Sequence, residues 1–224
     1  MNGIDISKWN GNIDFAKVKA CGIDFAIIRA GFGTTGIDRM FQINYKSARQ
    51  AGIHVGAYWY SYAKTKAELQ NEISAFLKAI KGMVFDMPIY WDIEEKWGMD
   101  NINYVIPTVC NALEASRYFV GYYTSASMNS KVTSENKQRF TSWIAHWGKQ
   151  PGTYKPMHQF SSKGEISGIS GNVDLDYCAT DFPSIITKNG LNNTSIPTNS
   201  KPELTIQDAI DKINAGINIL ENLQ

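Results

Sequence analysis

The stretch Ile89-Tyr90-Trp91-Asp92-Ile93-Glu94 is an apolar and aromatic run that ends in two carboxylates placed two residues apart. Side chains alternate along a β-strand, so positions i and i+2 point to the same side. Tyr90, Asp92 and Glu94 therefore share one face, and Ile89, Trp91 and Ile93 share the other. Two carboxylates on one face among aromatic rings cannot both titrate normally. The more confined one stays protonated near neutral pH, which a general acid requires. A strand end with two solvated acids is the plain alternative for any such pair, and the rest of the chain argues against it.

Outward from this stretch, short apolar runs alternate with segments of helical period. Strands are expected at Gly3 to Ser7, Phe25 to Ala30, His54 to Tyr62, Pro88 to Glu94 and Phe119 to Thr124. Between them, Thr65 and Glu68 form a capping box, followed by Leu69, Ile73, Phe76, Leu77 and Ile80 at three- and four-residue spacing, with Gly82 as the stop. Phe41 to Ala51, closed by Gly52, reads as another helix. Asn101 to Tyr118 is a third, with Pro107 marking either a kink or the true first turn. Strand and helix in alternation predict parallel strands with helices outside.

After Thr124 the pattern changes. Ser142 to Trp147, Met157 to Ser161 and Asn172 to Tyr177 are strand candidates, joined by polar connectors (148–156 and 162–171) without helical period. A parallel crossover needs about a dozen residues or more, usually helical, so these last strands are expected to pair antiparallel or irregularly. The whole describes an irregular β/α barrel of eight strands and about five helices, (β/α)5β3, over residues 1–182. Residues 183–203, rich in Ser, Thr, Asn, Lys and Pro, read as a linker. Residues 204–224 follow as an amphipathic helix with a seam of Ile206, Ile210, Ile213, Ile217 and Leu220. Packing on the barrel, self-association through 206–220, or a remnant of a wall-binding module are its three readings.

Composition narrows the function. Twenty-two basic against twenty-one acidic residues leave a net charge of +1 with no charge run, so no electrostatic footprint for nucleic acid exists. Cys21, Cys110 and Cys178 are an odd, widely spaced set, which predicts reduced and mostly buried thiols. His54, His146 and His158 lack metal-ligand spacing and are read as structural or substrate-lining. No stretch approaches the roughly 18 apolar residues of a membrane span. Met1-Asn2-Gly3-Ile4-Asp5 has no basic-then-apolar leader. The chain is expected to be soluble and made in the cytosol.

In β/α barrels the active site gathers at the carboxyl ends of several strands. That rule nominates Asp5 from the first strand, Asp92 and Glu94 from the fourth, and Asp174 or Asp176 from the last. First and last strands are neighbours in a closed barrel, so Asp5 and Asp174 come side by side. Asp176, at i+2, is expected to share the face of Asp174 one step further out. Tyr58, Tyr60 and Tyr62, Tyr122 and Tyr123, and Trp143 and Trp147 sit at the same ends. Acids ringed by tyrosine and tryptophan suit a sugar, whose C–H faces stack on rings while its hydroxyls bond to carboxylates.

Asp5-Ile6-Ser7-Lys8-Trp9-Asn10, Phe25-Ala26-Ile27-Ile28-Arg29-Ala30, Gly56-Ala57-Tyr58, Tyr90-Trp91-Asp92-Ile93-Glu94 and Val173-Asp174 together resemble the glycoside hydrolase family 25 muramidases, the Chalaropsis-type lysozymes. Many of these are phage endolysins or bacterial autolysins. The resemblance runs in order from about residue 2 to 182. It implies a barrel of eight strands with about five helices. It also implies cleavage of the β-1,4 bond between N-acetylmuramic acid and N-acetylglucosamine in the glycan strands of bacterial peptidoglycan, with no cofactor and no metal.

Carried over residue by residue, Glu94 is similar to the family's general acid/base and Asp92 to its partner. That partner either stabilises positive charge or orients the substrate's acetamido group. Asp5 and Asp174 resemble the two supporting acids. Tyr58, Tyr60, Tyr123 and Trp143 are candidate sugar contacts. Arg29 either neutralises an acid, contacts the muramyl carboxylate or makes a structural ion pair. Hydrolysis with retention is implied, with the nucleophile, a carboxylate or the acetamido oxygen, left open. Trp59-Tyr60 stands where the family often has His-Phe. A barrel that binds glycan without cutting, a hydrolase of chitin-like chains and a metal-dependent hydrolase are the rival readings. Without a leader, a phage-type member would wait in the cytosol for a holin before reaching the wall.

Overall fold

The computed structural model describes residues 1–195. Each expected strand is present: β1 (Asn2–Ile6), β2 (Phe25–Phe32), β4 (His54–Tyr60), β5 (Ile89–Asp92), β6 (Val120–Ser125), β7 (Thr141–Ala145), β8 (Met157–Gly164) and β9 (Val173–Cys178). A two-residue strand, β3 (Gly36–Ile37), folds back on the end of β2. The order β1-β9-β8-β7-β6-β5-β4-β2, with β1 also paired to β2, closes an eight-stranded barrel.

Five parallel pairings, β1–β2, β2–β4, β4–β5, β5–β6 and β6–β7, are as the alternation predicts, but one expectation needs correction. β7 and β8 pair parallel, with Ala145 opposite Gln159, although the connector between them holds no helix. Residues 146–156 are just long enough to return to the starting end as an irregular loop. Only β9 runs antiparallel to its two neighbours in the barrel, β8 and β1.

Helices fill each of the first five crossings: α1 (Phe15–Ala20), α2 (Phe41–Gln50), α3 (Lys66–Ile80), α4 (Lys96–Asp100) with α5 (Ile102–Glu114), and α6 (Ala126–Asn129) with α7 (Ser134–Arg139). The helix count exceeds five because the fourth and fifth crossings each hold two helices. Helix α3 starts where its capping residues dictate: the Thr65 hydroxyl accepts from Glu68 N, and the Glu68 carboxylate accepts from Lys64 N at 2.7 Å. Leu69, Ile73, Phe76 and Ile80 then lie buried against the sheet. Pro107 lies inside α5 rather than at its start.

The linker reading fails at its beginning. Residues Phe182–Lys188 form α8, capped by Asp181, whose carboxylate accepts from Ser184 N at 3.1 Å. Phe182 and Ile186, four apart on one face, close the bottom of the barrel against Phe25, Met87 and Met157. Asn192 continues the seal: its side chain donates to Met87 O and accepts from Phe119 N. The polar composition concealed two apolar residues at helical spacing. The linker from residue 196 onward and the seam Ile206 to Leu220 lie outside the described residues.

Two apolar layers result. One, between strands and helices, holds Trp59, Trp91, Phe76 and the aliphatic faces. The other, inside the barrel, is aromatic: Phe25, Tyr58, Tyr90, Tyr123 and Trp143. Glycines on inward positions make room for these rings. A Cβ on Gly3 would meet the Phe25 ring at 2.2 Å, and one on Gly121 would meet the Tyr90 ring at 2.8 Å. Large and small inward residues therefore complement each other across neighbouring strands.

Candidate active site

Strand pairing brings the acids together. Tyr60 lies opposite Asp92, Asp92 opposite Tyr123, and Asp5 opposite Asp174. Asp5, Asp92, Glu94 and Asp174 all line one cavity of about 440 Å3 at the carboxyl end of the barrel, with Arg29, Tyr58, Tyr60, Tyr123 and Trp143. Strand β5 stops at Asp92, and Glu94 follows just past its end, open to the cavity, while Asp92 is buried. The period-two reading of this stretch thus holds for Tyr90 and Asp92 inside and Trp91 outside.

Burial raises every one of these carboxyls. Asp92 lies well above the ordinary carboxylate range, first from burial and then from the charge of Glu94, against which Arg29 acts. Glu94 is raised by burial among the cavity walls and by neighbouring Glu95, while the Tyr123 hydroxyl opposes this. Asp174 is pushed up to about 6 by burial and by Glu94. So many acids in a small space cannot all be ionised together at neutral pH. The site therefore holds protons, as general-acid chemistry needs.

Asp176 requires a correction. It lies deeper than Asp174, opposite Gly3, because β9 runs antiparallel to β1 and higher numbers lead down into the barrel. Its Oδ1 accepts from Trp143 Nε1 at 2.7 Å, a bond that favours the anion, while burial raises the carboxyl well above the ordinary carboxylate range. Trp143 is likewise no open sugar platform. It is 1% exposed, packed against Tyr123 with ring centroids 4.5 Å apart and against Tyr90 at 5.3 Å. Its edge reaches the cavity floor; its faces belong to the core.

Arg29 takes the ion-pair option among its three readings. Its Nη2 and Nε lie 2.8 and 2.9 Å from Asp38 Oδ2. Asp38 also accepts from Lys8 N at 3.0 Å and Met40 N at 2.9 Å, so it ties β2 to the turn that follows β1. That turn explains the Ser7-Lys8-Trp9-Asn10 motif. The Ser7 hydroxyl accepts from Trp9 N, Asn10 Oδ1 accepts from Ser7 N, and a single 3-10 turn throws Trp9 outward, 78% exposed, beside the acids. Tyr58 is buried at the cavity wall, and Tyr60 donates to Glu95 Oε1 at 3.1 Å. Trp59 points away, its indole donating to Gly33 O at 3.2 Å, so the replacement of a family histidine there does not touch the cavity.

Six wall residues were not among the expected contacts: Ser7, Trp9, Asn10, Gln159, Ser162 and Asn172. Trp147, noted among the aromatics but not chosen as a contact, is 57% exposed at the rim, its Nε1 3.0 Å from Gln159 Oε1. A second groove of about 720 Å3 shares Glu94, Tyr123 and Trp147 with the acidic cavity and continues past Ile93, Met99 and Tyr154. Together the two form an elongated trough with Glu94 at their junction, a shape suited to a chain of several sugar rings.

Comparison with known proteins agrees with this architecture. Residues 4–169 match the family model for glycosyl hydrolases family 25. The chain is 29% identical over 181 residues to an autolytic lysozyme of Clostridium acetobutylicum, covering 79% of this chain and 55% of the relative. It is 30% identical over 197 residues to lysozyme M1 of Streptomyces globisporus, covering 78% and 66%. It therefore spans only about half to two thirds of these curated relatives. Among solved structures, a bacterial lysozyme from Streptomyces coelicolor superposes with a TM-score of 0.73 at 27% identity, over 87% of this chain and 98% of that one. The CTP1L endolysin superposes with a TM-score of 0.73 at 28% identity, over 83% and 68%. By sequence and by fold, the chain belongs to glycosyl hydrolases family 25.

Proposed function

We propose that this chain is an N-acetylmuramidase that hydrolyses the β-1,4 bond between N-acetylmuramic acid and N-acetylglucosamine in peptidoglycan, with retention. The observation that carries this reading is the convergence of Asp5, Asp92, Glu94 and Asp174 on one trough whose rim bears the open rings of Trp9 and Trp147. Glu94, open to the trough and raised by its surroundings, gives its proton to the glycosidic oxygen as the bond to the anomeric carbon breaks. The substrate's own acetamido oxygen attacks that carbon from the opposite face.

Asp92 supports that route. Asp92 lines the cavity, and its buried Oδ1 has no hydrogen-bond partner among the described residues, which leaves it to accept from the acetamido N–H and to balance the charge of the cyclic intermediate. Glu94, now ionised, takes a proton from water as the water oxygen bonds to the anomeric carbon and the ring of the intermediate opens. Asp5 and Asp174 hold the field of the site. The place of action in this reading is the cell wall. No helix among the described residues is long and apolar enough to cross a membrane.

Purified peptidoglycan digested with the protein, reduced with borohydride and analysed by mass tests the proposal. Reduced muramic acid ends are the expected product. Reduced glucosamine ends, or no new ends, would overturn it.

A further inference from the structure

Gln159 is 3% exposed, and both ends of its amide are engaged. Its Oε1 accepts from the Tyr123 hydroxyl at 2.9 Å and from Trp147 Nε1 at 3.0 Å, and its Nε2 donates to Asp5 Oδ2 at 2.7 Å. A carboxamide can be turned over with little change of shape, whereas an indole N–H only donates. Trp147 therefore fixes which end of the Gln159 amide is carbonyl, and so turns a donor toward Asp5. The backbone sets the same arrangement: Gln159 pairs with Ala145 on β7 and Asp176 on β9, and the β8–β9 register slips directly after it.

We propose that Gln159 is a positioning residue that links sugar binding at the rim to the charge of Asp5 on the floor. A ring stacked on Trp147 holds the indole N–H on the Gln159 carbonyl, and the Gln159 amide then biases Asp5 toward its anion. The surroundings of Asp5 make this bias matter. Burial first, then Asp176 and Asp174 on β9 and Asp92 on β5, disfavour its charge, and Tyr58 and Tyr123 feel the same field. Arg29 lines the cavity but is held by Asp38. Gln159 acts in the opposite sense, favouring the anion. The catalytic half of this link rests on the muramidase reading above; the electrostatic half does not.

The test compares Gln159→Leu, Trp147→Phe and the double variant. Trp147→Phe keeps an aromatic ring at an exposed position and deletes the N–H together with the five-membered part of the indole. Carboxyl 13C NMR follows Asp5 in the free protein, and kcat for release of reducing ends from peptidoglycan is measured against pH. Both single variants are expected to move the Asp5 titration to higher pH, Trp147→Phe by less. The double variant is expected to match Gln159→Leu, because the two act through one chain of contacts. The acid limb of kcat is expected to shift in the same direction, with KM changing less than kcat in Trp147→Phe.

An unmoved Asp5 titration in Trp147→Phe, or additive shifts in the double variant, would overturn the link. Should Gln159→Leu fail to fold, the exposed Trp147→Phe decides by its titration alone. An Asp5 shift in a protein that releases no muramic acid ends would overturn the proposed function and leave the electrostatic link standing.

Discussion

Asp5 and Asp174 are directly opposed partners in the antiparallel pair β1–β9 that closes the barrel. Closure by the first and last strands thus places two acids, distant in sequence, on one wall, where burial and then the charge of Glu94 push Asp174 up to about 6. The sign of the resulting pH dependence is fixed. A carboxyl whose folded pKa is raised above the unfolded 3.8 favours the folded state while protonated, and loses that advantage as pH rises from about 4 through 6. Asp174→Asn is therefore expected to raise Tm by a few degrees at pH 8 and to leave it unchanged near pH 3.5. Equal differences at both pH values in thermal melts would contradict this.

Glu94→Gln keeps the size and polarity of the side chain and removes the transferable proton. General acid–base transfer contributes about 10² to 10⁴ in rate, so wall lysis is expected to fall by about three orders of magnitude. The open position of Glu94 leaves folding intact, and sedimentation with purified walls should show undiminished binding. Retained lysis in a correctly folded variant would remove Glu94 from the proton-donor role.

Much of this architecture is legible in the chain because each level agrees with the next. Period-two alternation at Tyr90 and Asp92, the Thr65–Glu68 cap and the Gly52 stop fix local structure, and alternation of strand and helix fixes the barrel. What eluded the sequence is depth. Alternation tells which side of a strand a residue faces, not how far down the barrel it lies, so the pattern alone puts Trp143 and Asp176 at the rim although closure puts them below it. Direction hides in the same way: Asp176 moves inward only because β9 is antiparallel. Gln159 carries no local signal, since Asp5 and Tyr123 meet it only after the barrel forms, and the bond of Lys8 N to Asp38 is likewise set by the fold.

Trp143→Phe keeps most of the apolar volume among Tyr58, Tyr90 and Tyr123 but deletes the N–H that reaches Asp176 Oδ1. Asp176 Oδ2 has no partner among the described residues, so the variant leaves a buried carboxyl with a further orphaned oxygen. Such a loss costs about 1–3 kcal/mol beyond the smaller ring. At about 2–4 °C per kcal/mol for a domain of this size, Tm is expected to drop by roughly 5–10 °C. Differential scanning calorimetry measures it, and an unchanged Tm would mean that the Asp176 contact contributes nothing to stability.

Trp9→Ala acts on a ring held outside the core. With 78% of its surface exposed and Lys8 Nζ at 4.8 Å from its centroid, Trp9 contributes little to folding. A stacked sugar ring on it is worth about 1 kcal/mol, which corresponds to a several-fold rise in KM on soluble glycan fragments. Tm should move by less than about 1 °C. A fall in kcat without a change in KM would assign Trp9 to the chemical step instead of to binding.

Glu95 sits behind the proton donor, accepting from the Tyr60 hydroxyl, and its charge helps to hold Glu94 in the protonated form. The alkaline limb of the kcat profile reports loss of the proton from the general acid in the enzyme–substrate complex. Removing the charge by Glu95→Gln lets Glu94 ionise sooner, so that limb is expected to move to lower pH while the optimum rate changes little. Tyr123 acts on Glu94 in the opposite sense, since its hydroxyl favours the anion, and Tyr123→Phe is expected to carry the same limb to higher pH. Opposite displacements from two neighbours of one carboxyl identify Glu94 as the group that titrates. A limb that stays in place in both variants would assign the ionisation to a different acid of the cluster.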